Sequence, residues 1–528
     1  MLRYLTTVVF VSIAIAQSQF VSLVGGTESD IGGGVVQTSD GGYIVSGLTC
    51  SFGAGSDEMI ICRFDSIGNP LWKRTLGGGG GDYSFSLILA PGDGVVVAGT
   101  IVGFGPGGSD IALCRFDASG NHLWSKAIGG AGEDGAISMV RTSDGGFGIT
   151  GNTKSFGGDE SEIILCRLDS SGNHLWTTTV DVSVTDWDCG ISLIQTSDGG
   201  FAVTGYTDGL GAGSEDIILS RFDASGNHLW TKTLGGDSSE IGYSVVQTLD
   251  GGFAVAGHTN SFGAGDYDII VCRLDSLGNH LWTKTLGGTY HDGGSDLTLV
   301  SMATDPFGNL LVAGMSMSYT VPGTLLVRLD SSGNILGARV AFFGMSSGLA
   351  LTGDGGLVTT GTYYLVTPGD YDLALMKFDS AGTTCIGIPV TPTVTSPSPT
   401  ITSPTPTITS PTPTVMAISP TVTIPTTKDT MICPIGIEEV SGSPSFYLRV
   451  SGSLIRFFLP AESYARLTVY DATGRLVARP VDGIVQAGEH EIDLGDHAGS
   501  PLQKGVYLVQ LDVGAQHAAP TLTKLVIR

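Results

Sequence analysis

The side chains able to do chemistry in this 528-residue sequence are nine histidines and fifty acids, set against only 25 Lys and Arg. His122, His174, His228 and His280 each follow Gly-Asn at one place in a recurring segment, as exposed turn residues do. His258 and His291 depart from that pattern. Neither has a partner at HxH or HExxH spacing, so no catalytic zinc is expected. There is no GxSxG elbow, no P-loop and no CxxC, and the glycine run 77–81 does not open a helix, which argues against a phosphate cradle. Acids recur at matched positions: Asp30, Asp82, Asp134, Asp188, Glu240 and Asp292 in one loop family, and Glu58, Asp110, Glu162, Asp216, Asp268 and Asp372 in another. Paired acids beside glycine turns can bind Ca²⁺ through oxygen. Without a dense D-x-D-x-D run, backbone capping is the expected role. The sequence therefore assigns no catalytic residue, no metal and no cofactor.

Variation between copies is the better guide to a ligand surface. One position carries in turn Leu48, Thr100, Asn152, Tyr206, His258, Met315 and Thr362 between fixed neighbours. Trp187, Tyr206, His258, Tyr290 and His291 are expected on one face, where aromatic rings can stack on a sugar or grip a peptide.

What must position these residues is a tandem repeat. Trp72, Trp124, Trp176, Trp230 and Trp282 are spaced by 52, 52, 54 and 52 residues, and a unit marked by an Asp recurs at Asp40, Asp93, Asp144, Asp198, Asp250, Asp305 and Asp354, making seven copies. Each copy holds four short runs rich in Val, Ile, Thr and aromatics, such as SVVQT, FAVAGHT, DIIVCRL and LWTKTL, split by DGG and D-x-x-G-N turns. The third run is apolar on both faces and needs cover on both sides. Seven four-stranded sheets stacked in a ring, a seven-bladed β-propeller, supply it. The seventh copy lacks its fourth strand, and residues 19–26 (QFVSLVGG) match what is missing. They are expected to complete that blade. Asp65, Asp117, Asp169, Asp223, Asp275, Asp330 and Asp379 read as turn holders. Arg63, Arg115, Arg167, Arg221, Arg273 and Arg328 beside them read as structural, and the Trp residues as packing between blades.

The bulk numbers agree. Charged residues are 14 %, glycines number 80, and the net charge of −25 excludes a nucleic-acid partner and disfavours anionic lipid. Arg3 followed by the apolar Leu5–Ala16 reads as a signal peptide over residues 1–16, hence an exported protein, extracellular or on the outer cell surface. No other segment is apolar enough to enter a membrane. Cys62, Cys114, Cys166 and Cys272 share one slot with Ser220, Val327 and Met376, as a buried apolar position would. Cys385 and Cys433 flank a Pro-rich stretch and are a candidate pair. The domains expected are the propeller over 17–387, a Pro/Thr/Ser-rich linker over 388–432 acting as a semi-rigid polyproline stalk, and a β-sandwich over 433–528. The chain is expected to be monomeric.

The repeats, with DGGFAVAG and DSLGNHLW as they stand at 250–257 and 275–282, resemble the β-propeller repeats of secreted bacterial proteins over about residues 19–386. Asp275 to Trp282 also resembles the Asp-box of sialidases, with a longer gap between Asp and Gly. In the tail, Leu459-Pro460, Val469-Tyr470-Asp471 with Gly474-Arg475, Gly488 and His490, Gly505 and Tyr507, and Lys524–Ile527 resemble the C-terminal sorting domain of type IX secretion, related to the Ig-like domain of the flagellar hook-capping protein. The HAGSPLQKG insert departs from it. That resemblance implies that residues 434–528 are read by the type IX secretion machinery. The resulting expectation is a binding or structural module with a glycan or protein ligand. The alternatives are an extracellular glycan hydrolase or lyase acting on the loop face, a quinone-cofactor dehydrogenase and a coat component.

Overall fold

In a computed structural model of the chain, residues 19–379 are described apart from 54–55, 79, 158–159, 182–186, 210, 295–298, 320–321, 343 and 365–370. Farther on, chiefly the strands between 387 and 431 and between 447 and 527 are described. The expected signal peptide, Cys385 and Cys433 lie outside the described residues.

The first blade shows why the sequence folds as it does. Its strands Asp30–Gln37, Tyr43–Thr49, Glu58–Phe64 and Pro70–Gly77 pair antiparallel in chain order. The Asp-Gly-Gly turn places Gly41 at φ +83, which a side chain would resist, and Asp40 Oδ1 accepts from Thr38 Oγ1 and the Gly42 N–H. Every residue of the third strand is buried, because a neighbouring blade covers each face. The pattern repeats to make seven blades, and the protein is an all-β, seven-bladed propeller.

Innermost strands ring the axis and touch one another in succession. Ser86 Oγ accepts from the Met139 N–H at 3.0 Å, Ser138 from Leu193 at 3.3 Å, Ser192 from Val245 at 3.2 Å and Ser244 from Met302 at 3.1 Å. Each of these serines directly follows a β-bulge in its own strand. Farther out, each Trp lies against the left-handed glycine of the next blade's D-x-x-G-N turn. A Cβ added to Gly120 would fall 2.7 Å from the Trp72 ring, and one on Gly226 2.7 Å from Trp176. Trp72 and Trp282 also donate Nε1–H to the Ala118 and Ser331 carbonyls. The tryptophans are thus packing between blades, as expected.

Ring closure follows the expected route. Phe20–Gly25 pairs antiparallel with Tyr371–Phe378 and becomes the fourth strand of the seventh blade. Counting back from the terminal glycine, Phe20 occupies the tryptophan position. It meets Gly68 as the tryptophans meet their glycines, and Ser22 Oγ donates to the Gly68 carbonyl at 2.7 Å.

The turn holders behave as read. Asp65, Asp117, Asp169, Asp223, Asp275 and Asp330 each accept two backbone N–H groups and the Asn amide four residues on. Asp379 accepts from Gln19 Nε2, and the rest of its turn lies outside the described residues. Arg63, Arg167, Arg221, Arg273 and Arg328 pair with the Asp at the neighbouring turn, and Lys377 does the same with Asp354. Two copies depart from the simple repeat. In APGDGV, Asp93 occupies the left-handed position that Gly41 holds in the first blade, at φ 56, and accepts from Ser39 of that blade. Asp305 belongs to a D-x-x-G-N turn, capping Phe307 and Asn309 while also pairing with Arg328.

The Pro/Thr-rich segment overturns the expectation of a free stalk. Gly387–Pro389, Thr393–Thr395, Thr400–Thr402, Thr407–Thr409, Thr414–Ile418, Thr421–Thr423 and Lys428–Met431 add a fifth, outermost strand to blades six, five, four, three, two, one and seven, in that order. The segment is a strap that runs once around the propeller. Each short strand is antiparallel to the fourth strand it joins, and the chain steps backwards from blade to blade. The seven-residue unit is the step, reaching about 23 Å at roughly 3.3 Å per residue. In the sequence, Pro392, Pro399, Pro406, Pro413 and Pro420 immediately precede paired strands, so the paired residues that follow them keep their N–H groups. The second residues Ile388, Val394, Ile401, Ile408, Val415 and Val422 of these strands fall opposite Val340, Leu286, Leu234, Val180, Ile128 and Leu76.

The C-terminal strands form two antiparallel sheets. One holds Tyr447–Ser451, Leu454–Leu459 and Gly488–Asp493, and the other Leu476–Val485, Ser463–Asp471, Gly505–Val513 and Thr521–Ile527. Among the described residues, no helix is long and apolar enough to cross a membrane.

Cutting out residues 387–431 uncovers the outer edges of the blades. The expected result is a melting temperature lower by several degrees and concentration-dependent association in light scattering. A shortened chain as stable and as monodisperse as the full one would show that the strap does not guard those edges.

Candidate functional site

The rim of the propeller that carries the second-to-third-strand loops and the loops between blades holds every residue singled out above as a ligand contact. The variable position lies at the end of each second strand and pairs with the start of the first strand of its own blade: Leu48 with Ile31, Thr100 with Tyr83, Asn152 with Gly135, Tyr206 with Cys189, His258 with Ile241, Met315 with Gly293 and Thr362 with Met345. One scaffold therefore holds six residue types at seven equivalent positions, threonine serving twice.

Blades five and six form the densest group. The His258 ring lies edge-on to Tyr243 at 5.2 Å and to Tyr267 at 4.8 Å, and Tyr267 meets His291 at 4.9 Å. The Tyr243 hydroxyl is 3.3 Å from His258 Nδ1. His258 Nδ1 and His291 Nε2 both reach the Gly294 carbonyl, at 3.2 and 3.1 Å. An imidazole N–H is the donor to that carbonyl. Gly293, at φ +137, packs against His258, where an added Cβ would fall 2.8 Å from the histidine Cβ. His258 is buried, His291 half-buried and Tyr290 exposed. The structure thus joins His258 and His291 through Tyr267, with Tyr290 next in the chain on the open side.

Trp187 and Tyr206 belong to the fourth blade and stand apart from this group. Trp187 is exposed, its backbone N–H donates to Asp208 Oδ1, and Lys154 Nζ lies 4.9 Å from its ring centre. Tyr206 is half-buried against the core that includes Cys189 and Tyr243, and its hydroxyl proton is held more tightly than usual because it is buried. Sequence reading missed Tyr267, Tyr243 and a small apolar hollow on the same rim lined by Ile31, Leu48, Tyr83 and Phe85. Tyr267 could have been found, since it directly precedes the acid Asp268 in a loop already singled out.

The matched acids do not line an open pocket. Asp30, Asp82, Asp134, Asp188, Glu240 and Asp292 are buried, as are Glu58, Asp110, Glu162, Asp216 and Asp268. The first set anchors the loops between blades. Asp134, for example, accepts from the Gly130 N–H, Ser155 Oγ and Thr153 Oγ1. Glu240 accepts from Gly236, Ser261 and Thr259. This is the expected capping. Repeated, buried acids give no support to a hydrolase centre, which needs carboxyls that reach a substrate.

Two junctions differ. Five fourth strands end in glycine, at 25, 77, 129, 235 and 287, whereas the sixth blade has Phe342 there and the third blade Asp181. Glu162, Asp181 and Asp188 bring one oxygen each within 4.8 Å of one another, all buried. A hard divalent cation takes oxygen donors of this kind.

The cysteines Cys62, Cys114, Cys166 and Cys272 are buried and unbridged, in line with an apolar slot, and burial holds the Cys114 thiol at a pKa of about 12.

No family model matches the chain. A stretch of 172 residues, 30 % of the chain, is 31 % identical to the regulatory protein FlaEY of Caulobacter vibrioides. The match spans only 17 % of that protein's length. Among solved structures, the BSP domain of a biofilm associated protein is aligned over 96 % of this chain and 97 % of its own, at 12 % identity and a TM-score of 0.12, too low to carry an argument.

Replacing Tyr267 by Ala should cost about 2 kcal/mol in urea unfolding, since it removes the ring between the two histidines. Tyr290→Ala should stay within about 0.5 kcal/mol. Equal effects would show that the aromatic group is not a packed unit.

Proposed function

We infer that the protein is a binding module whose ligand surface is this rim, centred on Tyr290, His291 and His258 in blades five and six, with Trp187 and Tyr206 as flanking contacts. The observation that carries the reading is the seven-fold frame holding one changing residue per blade, Leu48 to Thr362, beside exposed aromatic side chains. Exposed rings next to imidazole N–H groups suit a glycan or a peptide, through stacking and hydrogen bonds. No group of unsaturated, accessible acids favours turnover among the described residues.

The same reading makes the protein an exported one. The apolar Leu5–Ala16 would direct it across the inner membrane, and the motif pieces between Leu459 and Ile527 support recognition of residues 434–528 by a type IX machinery. The chain would then act outside the cell or on its surface, as a single copy.

Glycan and peptide arrays probed with the full chain test the binding reading. Retention of a defined ligand is expected, weakened at least tenfold by Tyr290→Ala and unaffected by a change on the opposite face such as Leu229→Ala. Release of a cleaved product, or no retention at all, would count against it. Removing residues 434–528 should leave the protein inside the cell envelope in fractionation. Normal surface display of that deletion would sink the export reading.

A further inference from the structure

The matched acids fall in pairs across the junctions between blades, and their hydrogen bonds are lopsided. At the junction of blades two and three, a Cβ added to Gly129 would fall 2.2 Å from Asp110 Oδ1 and 2.6 Å from Asp134 Oδ2, so the two oxygens converge on one side of that glycine. The same holds for Asp216 and Glu240 at Gly235, for Asp268 and Asp292 at Gly287, and for Glu58 and Asp82 at Gly77. Both oxygens of Asp134 are occupied by donors. Asp110 Oδ2 accepts from the Gly107 N–H, but Asp110 Oδ1 is fully buried with no hydrogen-bond partner, and so is Asp216 Oδ1. Two ionised carboxylates facing each other out of water are strongly unfavourable. A proton on the oxygen that lacks a donor removes one charge and makes an O–H donor toward the acceptor opposite it.

We propose that these junction pairs are acid–carboxylate pairs sharing one proton, with Asp110 the protonated member of its pair and Asp134 the ionised one, so that the propeller tightens as the surroundings become acidic. Burial, with the Asp134 charge adding to it, holds the Asp110 proton up to a pKa of about 6, and burial raises Asp82, Asp216 and Asp268 as well. A carboxyl whose folded pKa lies above its unfolded value contributes stability fully below the unfolded value. That contribution is lost as the pH climbs through the folded one. For Asp110 the window runs from about 4 to about 6. The charged groups around this pair are Glu133, next to Asp134 in the chain, and Lys154, ion-paired with Glu133 at 2.8 Å. Asp57 faces Asp82, and the Tyr319 hydroxyl lies in the field of Asp268 and Asp292.

The test is the melting temperature of the full chain from pH 4.5 to 8, compared with Asp110→Asn and Asp134→Asn. For the parent, a fall of roughly 5 °C or more across the range is expected. Asparagine at 110 supplies an N–H₂ donor where the proton was, so Asp110→Asn should melt higher than the parent at pH 8 and show a flatter profile. Asp134→Asn loses acceptor capacity for Gly130, Ser155 and Thr153 and should melt lower throughout. Asp110→Asn with the parent's slope would overturn the proposal. So would a rise in the parent's melting temperature at pH 8 on adding 5 mM Ca²⁺ that Asp110→Asn abolishes, because the junction would then hold a cation in place of a proton.

Discussion

No blade of this protein can be buried alone. The third strand of each sheet is apolar on both faces, and cover for those faces comes only from the blades before and after it. Every other feature answers that constraint. Ser86, Ser138, Ser192 and Ser244, each just after a bulge, tie inner strands to one another, the tryptophans lock onto the next blade's left-handed glycine, and the acids anchor the loops between blades. A chain built this way must close, and Phe20–Gly25 closes it by pairing with Tyr371–Phe378. The hydrophobic term is spread over a continuous ring, as in other repeat architectures.

The ring was legible because its signals are local and repeated. Asp-Gly-Gly and D-x-x-G-N fix turns, four apolar runs fix strands, and a missing run at one end matched a surplus run at the other. Phe20 in place of the expected Trp obscured the match only slightly, since the terminal Gly25-Gly26 kept the register. Asp93 and Asp305 were harder. In each, the Asp is displaced relative to its turn, and only backbone geometry reveals which turn it serves. The candidate site was legible in part. Aromatic residues that broke the repeat marked the rim, but whether His258 pointed outward or into a packed group depends on Tyr243 and Tyr267, which lie 15 residues before it and 9 after.

The strap was the largest surprise, and its cause is instructive. Composition alone assigns a Pro/Thr run to polyproline II, because proline cannot donate to a ladder. Here, apart from Pro389, which ends the first paired triplet, the prolines stand in the sequence between the paired strands. Two facts in the sequence already hinted at this: a unit of seven residues, and an apolar Val or Ile at the centre of most T-x-T triplets. A solvated stalk has no need of either.

The strap also couples two parts of the gene that change by different steps. Tandem repeats gain and lose whole units by recombination, in this chain some 52 residues at a time. An added blade would leave one outer edge bare unless a seven-residue unit were gained far downstream, and a lost blade would leave a triplet with nothing to pair with. The outer circuit thus records how many wedges the ring contains, and it penalises any drift in that number.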